Sequence, residues 1–229
     1  MMIRWDAPGP YVVGFTTRAG GVSEGPFASL NLGTRRDDPD RVAENRRRAC
    51  AALGLDASRL AVNRQRHSPT VHRAEPGVRD EFGDGLWTDE PGLPLLALGA
   101  DCVPIAIASA NGRPAIAVVH AGWRGLAEGV VEAAVAALGE GAKAAVVGPA
   151  VGPCCYEVGP EVSALFDADL TRDRILDLWT AAERSLRRAG VERVERADLC
   201  THCNPELFFS HRRDGPARGL QGVIAALAG

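Results

Sequence analysis

Residues 93–126 read LPLLALGADCVPIAIASANGRPAIAVVHAGWRGL. Two apolar runs flank Asn111-Gly112, the strongest short-range hairpin signal, so the segment predicts two adjacent antiparallel strands. The second run ends in His120, followed at once by Ala-Gly-Trp-Arg-Gly and a helical segment. A strand end that feeds a glycine loop and a helix N-terminus is where α/β chemistry is usually sited, which makes His120 the first candidate for a functional residue. With a three-residue loop, Ala110 to Gly112, and Gly112 left-handed, Ser109 pairs with Arg113 and Cys102 lies directly opposite His120. Opposed residues share a face with Cβ atoms about 4.5–5.5 Å apart, within reach of a common metal ion. A two-residue Asn-Gly loop shifts the register by one and sends the two side chains to opposite faces.

The chain has 229 residues, 46% of them hydrophobic, enough for a substantial core in one large domain or two small ones. Its formal charge of -3 and pI near 6.0 argue against general affinity for nucleic acid or an anionic membrane. Lys143 is the only lysine among 26 basic residues, a skew that reflects composition rather than arginine-specific recognition. The N-terminal run MMIRWDAPGPYVVGF has no apolar core of signal-peptide length, and no window has the length of a membrane span. A cytoplasmic protein is expected, with the oligomeric state open. The six cysteines are then reduced thiols or metal ligands rather than a secreted disulfide framework.

Along the chain the pattern predicts a strand at Tyr11 to Thr17, a glycine-rich loop, and a helix opened by Asp38 as N-cap with Pro39 at the first position and stopped by Gly54. LAVNRQRHSPTVHRA reads as a strand interrupted at Ser68-Pro69, and Pro76 to Asp89 as loop. Leu126, Val130, Val131, Ala134 and Leu138 form one apolar helical stripe ending at Gly139. Ala144 to Val147 is a short buried strand running into GPAVGPCCYEVGPEV, a Gly/Pro-rich loop. Thr171 is expected to cap a helix whose apolar face runs from Ile175 to Ala189, and Val191 to Leu199 can be a strand. DLCTHCNPELFFSHRRDG is a polar loop with an aromatic centre. No repeat or linker appears, so one α+β domain over residues 1–229 is the expected organisation.

Cys102 and His120, with His67 or His72, are suitable zinc ligands; three protein ligands leave the fourth tetrahedral position for water or substrate. Spacing alone does not separate His67 from His72, and a small core cysteine with two satisfied histidines would look the same. Cys200-Thr-His-Cys203 reads as a structural loop; with His202, Cys154 and Cys155 it becomes a metal site only if the fold joins the loops. Gly122-Trp-Arg-Gly125 offers Arg124 and helix N-terminal amides as a phosphate or oxyanion cradle. Asp84 and Asp101 are acid/base candidates by residue type, and Phe208 or Phe209 a candidate for stacking a base. A cysteine-hydrolase reading of Cys102 is weaker, because two histidines would compete for one thiolate.

Between Gly14 and Gly215 the motifs GFTTRAGGVSEGPFASLNLG, ENR, RQRHSPTVHRA, ADCVPI, VVHAGWRG, GPAVGPCCYEVGPEV and CTHCNPELFFSHRRDG occur in order. They resemble the successive motifs of the laccase-domain family, long called multicopper polyphenol oxidases and now usually purine nucleoside phosphorylases. The resemblance implies a mixed β-sandwich core flanked by helices. It also implies a metal held by His67, Cys102 and His120, the positions matching the family's QVHG, ADC and HAGW motifs. One departure stands out: QVHG is Gln65-Arg66-His67-Ser68 here, with a bulkier and a more polar neighbour around the histidine.

The implied activities are phosphorolysis of adenosine, inosine and methylthioadenosine, and deamination of adenosine. Phenol oxidation with copper, and a peptidoglycan-editing hydrolase using the same site or Cys102 as nucleophile, are the alternatives, beside a noncatalytic metal-binding regulator. Metal arithmetic counts against the laccase. Two of five histidines would serve one copper, leaving three for a three-copper cluster. The expectation is zinc, with copper possible at one His₂Cys site, purine nucleosides and phosphate as ligands, and Cys102 and Arg124 in the reaction.

Overall fold

Every residue of β8 (Val103–Ser109) and β9 (Ile116–Ala121) is buried. The reason is that both faces of these central strands are covered. On one face Val103, Ile105, Ile107, Ala117 and Val119 pack with Leu126, Val130, Ala134, Leu178 and Leu186 of the helices. On the other, Ala106, Ala108, Ile116 and Val118 meet Val13, Phe15, Leu95, Ala97, Val223 and Ala225 of a second sheet. A fully buried aliphatic side chain contributes about 1.5–3 kcal/mol, so this double packing holds the strand pair rigidly. The computed structural model describes residues 2–229, and the side chains of residues 79 and 80 lie outside the described set.

In chain order the elements are β1 (Met2–Trp5), β2 (Tyr11–Thr16), α1 (Pro39–Ala51), β3 (Ala61–Arg64), β4 (Val71–Arg73), β5 (Gly77–Phe82), β6 (Gly85–Thr88), β7 (Leu95–Gly99), then β8 and β9. There follow α2 (Trp123–Ala127), α3 (Val130–Ala137), β10 (Lys143–Val147), α4 (Pro160–Ser163), the small hairpin β11 (Thr171–Arg172) and β12 (Ile175–Leu176), α5 (Leu178–Arg188), β13 (Arg193–Arg196), α6 (His211–Asp214) and β14 (Gln221–Leu227). One six-stranded sheet has the order β1-β2-β14-β7-β3-β5 and the other β13-β10-β8-β9-β6-β4. α1, through Ala49 and Cys50, and the turn after it, through Leu53, cover the outer face of the first sheet against Val62, Leu96 and Ile224. The expected α+β class and helix-flanked sandwich are therefore present. Among the described residues no helix is long and apolar enough to cross a membrane.

Several local expectations are corrected. The β8–β9 loop spans five residues, since Ser109 N–H bonds Ala115 C=O at 3.0 Å and Asn111 Oδ1 accepts from Ala142 N–H at 2.9 Å. Asn111 is thus drawn onto the segment before β10 instead of forming a tight turn. The register becomes Pro104 opposite His120, two residues from the expected pairing. A shift of two preserves the face, so Cys102 and His120 still point the same way.

The chain from Pro76 to Asp89 is not loop but β5 and β6. The stripe from Leu126 to Leu138 is two helices, broken at Gly129 with φ +88°. Thr171 begins a hairpin strand, and Asp177 caps α5, accepting from Thr180 N–H at 3.0 Å. Ser68-Pro69 does not interrupt one strand: β3 and β4 belong to different sheets.

Candidate metal centre

β3, β5 and β7 run parallel, so all three end at one end of the sandwich. Each then crosses to the second sheet, entering β4, β6 and β8. The three crossings carry His67, Asp84 and Cys102 in turn. β9 is antiparallel to β8, which brings its C-terminal end, and His120, to the same place.

The ligand atoms of His67, Cys102 and His120 all lie within 4.8 Å of one another. His67 Nε2 is 3.6 Å from Cys102 Sγ, and the two imidazole rings meet edge-on with centroids 4.8 Å apart. His72, the other histidine that spacing allowed, is elsewhere, its Nε2 against Phe82 C=O at 3.0 Å. Two imidazoles and a thiolate on rigid elements fit a divalent metal of borderline softness, with a coordination position left for a reactant.

Asp84 organises the group. Its carboxylate accepts from the backbone N–H of Arg66 (3.1 Å), His67 (2.9 Å) and Ser68 (2.7 Å) and from the Ser68 hydroxyl (2.8 Å). It also lies 2.8 Å from His120 Nδ1, leaving Nε2 as the ligand atom. This is the carboxylate–histidine pairing that fixes tautomer and ring angle at metal sites. His67 has φ +68°, a left-handed turn that these amide bonds hold in place. Gln65 replaces the β3–β7 ladder where β3 leaves it, donating to Leu98 C=O at 2.7 Å and accepting from Leu98 N–H at 2.8 Å. Asp84, an acid/base candidate by residue type, is committed by these hydrogen bonds to positioning both histidines.

Burial alone would push Asp84 up, but the hydrogen bonds from His120 and Ser68 hold it well below the carboxylate range. Burial would likewise raise Cys102, yet the neighbouring His120 cation brings it down to about 6. For His120 burial acts downward, and Cys102 with Asp84 raises it to about 10. Each of the two thus favours the charged form of the other. Gly122 closes the site from α2's side: a Cβ there would sit 2.6 Å from His67 Cδ2 and 3.1 Å from Cys102 Sγ.

The other candidates fall out differently. Asp101, at φ +90°, accepts from Thr201 Oγ1 at 2.6 Å and Arg212 N–H at 2.7 Å, which makes it an anchor between loops. Phe208 and Phe209 are completely buried, so neither offers a face for stacking. Arg124 is exposed and lies over the Trp123 ring, 5.0 Å from its centroid. Cys154, Cys155, Cys200 and Cys203 do converge: their sulfurs also lie within 4.8 Å of one another.

Sequence reasoning missed Arg218. Its Nε is buried with no partner, and Asp101 and Cys102 lie near enough to raise its proton affinity against the lowering by burial. With Arg35, Arg36 and His211 it lines a pocket of about 420 Å³. A hollow of about 660 Å³ shares Gly33, Arg35 and Leu220 with that pocket and extends to Gln65 and the exposed Phe82. The signal was faint, because the arginines come from segments far apart in the chain.

The profile of the family described as multi-copper polyphenol oxidoreductase laccase matches residues 12–228. A purine nucleoside phosphorylase of Pseudomonas aeruginosa is 39% identical over 224 residues, covering 91% of this chain and 90% of that protein. The purine nucleoside phosphorylase YfiH of Escherichia coli is 34% identical, with 92% of each chain covered. Among solved structures, YlmD of Geobacillus stearothermophilus superposes with a TM-score of 0.89 at 32% identity, covering 98% of this chain and 94% of that one. A Neisseria meningitidis protein gives 0.88 at 32% identity, covering 100% and 99%. With fold, motifs and relatives agreeing along nearly its whole length, the chain belongs to the multi-copper polyphenol oxidoreductase laccase family.

Proposed function

We propose that this chain is a zinc-dependent purine nucleoside phosphorylase that takes adenosine, inosine and methylthioadenosine and also deaminates adenosine. The observation that carries the reading is the His67–Cys102–His120 centre together with Arg218, whose buried Nε has no partner and whose guanidinium feels the charge of Cys102. The names of the Pseudomonas and Escherichia relatives support the reaction class.

In phosphorolysis a phosphate oxygen attacks C1′ of the ribose. The C1′–N9 bond breaks, its electron pair goes to the purine nitrogen, which takes up a proton, and free base and ribose-1-phosphate leave. His67, Cys102 and His120 would hold the metal, which would supply Lewis-acid polarisation when bound. Arg218, with Arg35 and Arg36, holds and neutralises the phosphate; its bare Nε donor is directed to an anion by its own chemistry. Arg124 has the same charge and no ion pair among the described residues, and is the second candidate.

Copper oxidase chemistry calls for a second centre rich in imidazole. Among the described residues only two groups have the ligand atoms to hold an ion, and the second contains no histidine. A peptidoglycan-editing hydrolase using the same metal remains the competing reading by family resemblance. Metal-replete protein incubated with inosine and phosphate should release hypoxanthine and ribose-1-phosphate, and adenosine should also give inosine. Absence of both products together with cleavage of peptidoglycan precursor dipeptides overturns the nucleoside reading.

A further inference from the structure

β10 is antiparallel to β8, and β13 runs parallel to β10, so the segments after both strands emerge at the same end as the His67–Cys102–His120 centre. A parallel bridge between Ala150 and Cys200 fastens these segments together. Ala150 N–H donates to Leu199 C=O at 3.2 Å and Thr201 N–H to Ala150 C=O at 3.0 Å. This bridge brings two cysteine pairs face to face, Cys154-Cys155 from one loop and Cys200-x-x-Cys203 from the other. Cys203 Sγ is 3.6 Å from Cys154 Sγ and 3.3 Å from Cys155 Sγ, and Cys200 Sγ accepts from Gly152 N–H at 3.3 Å.

We propose that Cys154, Cys155, Cys200 and Cys203 form a second, closed metal site that binds zinc through four thiolates. Zinc–sulfur bonds of about 2.3 Å set tetrahedral sulfur–sulfur separations of about 3.8 Å; the Cys203 contacts fall just inside that value, and no two of the four sulfurs are more than 4.8 Å apart. Four protein ligands leave no open position, which is the structural rather than catalytic pattern. The Arg213 guanidinium, paired with Asp214, braces the Cys200–Cys203 turn by donating to Thr201 C=O at 2.8 Å and His202 C=O at 3.1 Å. Binding releases the thiol protons to solvent and needs no oxidant.

The site would clamp the wall of the first centre. The loop after β10 carries Tyr156, whose ring lies 4.6 Å from the Arg212 guanidinium of the other loop. Asp101, next to Cys102, ties both: its C=O accepts from Val151 N–H at 2.9 Å and its carboxylate from Thr201 and Arg212. The role of this site does not depend on which reaction the first centre performs.

The test is metal analysis of full-length protein purified under reducing conditions after growth with zinc. Cys102→Ala disables the first centre and should retain one equivalent of zinc, which Cys102→Ala/Cys203→Ser should lose. Cobalt substituted into Cys102→Ala should show the strong thiolate-to-cobalt charge-transfer absorption and visible bands of a tetrahedral four-thiolate site. Should a cysteine variant fail to fold, mercurial titration of the wild type gives the same answer: one zinc should leave only as the four thiols are consumed. Cys102→Ala free of metal, or carrying a Cys155–Cys203 disulfide under these conditions, overturns the proposal, as does a wild type whose zinc release is independent of those thiols.

Discussion

The Asp84 carboxylate lies 2.8 Å from His120 Nδ1 while accepting three consecutive amides of the loop that carries His67. One buried side chain therefore sets both imidazoles of the metal centre. Asp84→Asn keeps the shape but exchanges two acceptor oxygens for one acceptor and one donor. Zinc affinity should fall about 10- to 100-fold, as for other carboxylates behind ligating histidines. The metal-free protein should lose about 3 kcal/mol, because buried donors are left against a poor acceptor. Competition with a chromophoric chelator and urea unfolding of the metal-free protein measure the two effects; unchanged affinity would remove Asp84 from the site.

Metal uptake should release protons with a definite pH dependence. His120, raised in the fold, adds stability to the metal-free protein that is complete below its ordinary 6.5 and is lost as pH rises through about 10. Cys102, lowered, adds stability present above its ordinary 9.0 and lost as pH falls through about 6. Between about 6 and about 10 the metal-free pair should be thiolate and imidazolium, whereas a bound metal would take thiolate and neutral imidazole. Zinc binding at pH 8 should expel about one proton from His120. Calorimetry in buffers of different ionisation enthalpy reads this directly, and release of no proton contradicts the ion pair.

Gly122→Ala tests how closely the backbone approaches the centre. Its φ of -78° suits alanine, so the cost is contact rather than strain. A methyl 2.6 Å from His67 Cδ2 must displace the ring, and the displacement is local. Zinc affinity should drop at least about 10-fold while the melting temperature of the metal-free protein moves little. Wild-type affinity in this variant would show that the loop has room to retreat.

Arg218→Ala and Arg124→Ala separate the two phosphate candidates. Loss of a charge-assisted bond to phosphate costs about 1.5–3 kcal/mol, or roughly 10- to 150-fold in kcat/KM for phosphate. We expect that loss in Arg218→Ala, with Arg124→Ala changed less than about 3-fold. The reverse pattern would return the role to the helix turn beside Gly122.

The parts of the fold legible in the sequence were those written in local chemistry. Asp38 and Pro39 announced α1, and the apolar runs around Asn111-Gly112 announced β8 and β9. The Cys102–His120 partnership came through despite a wrong register, since parity alone decides which face a side chain takes. His67 was singled out by family resemblance, because β3 and β4 lie in different sheets and no spacing rule spans a crossing. Long-range pairing hid the rest. β14 lies between β2 and β7 although it ends the chain, and Arg218 reaches Cys102's surroundings from 116 positions away. The convergence of the cysteine loops likewise depends on β10 and β13 being neighbours, which neither segment shows by itself.

The five-residue loop between β8 and β9 sits at the opposite end of the sandwich from the metal centre, separated by the seven residues of β8, roughly 23 Å of strand. Of its residues, Asn111 is tied to Ala142 and Arg113 to Asp89, while Gly112 at φ +72° has open space around it. The position after Gly112 is therefore a natural splice point, where a reporter, an affinity handle or a surface tether can be grafted without disturbing the chemistry.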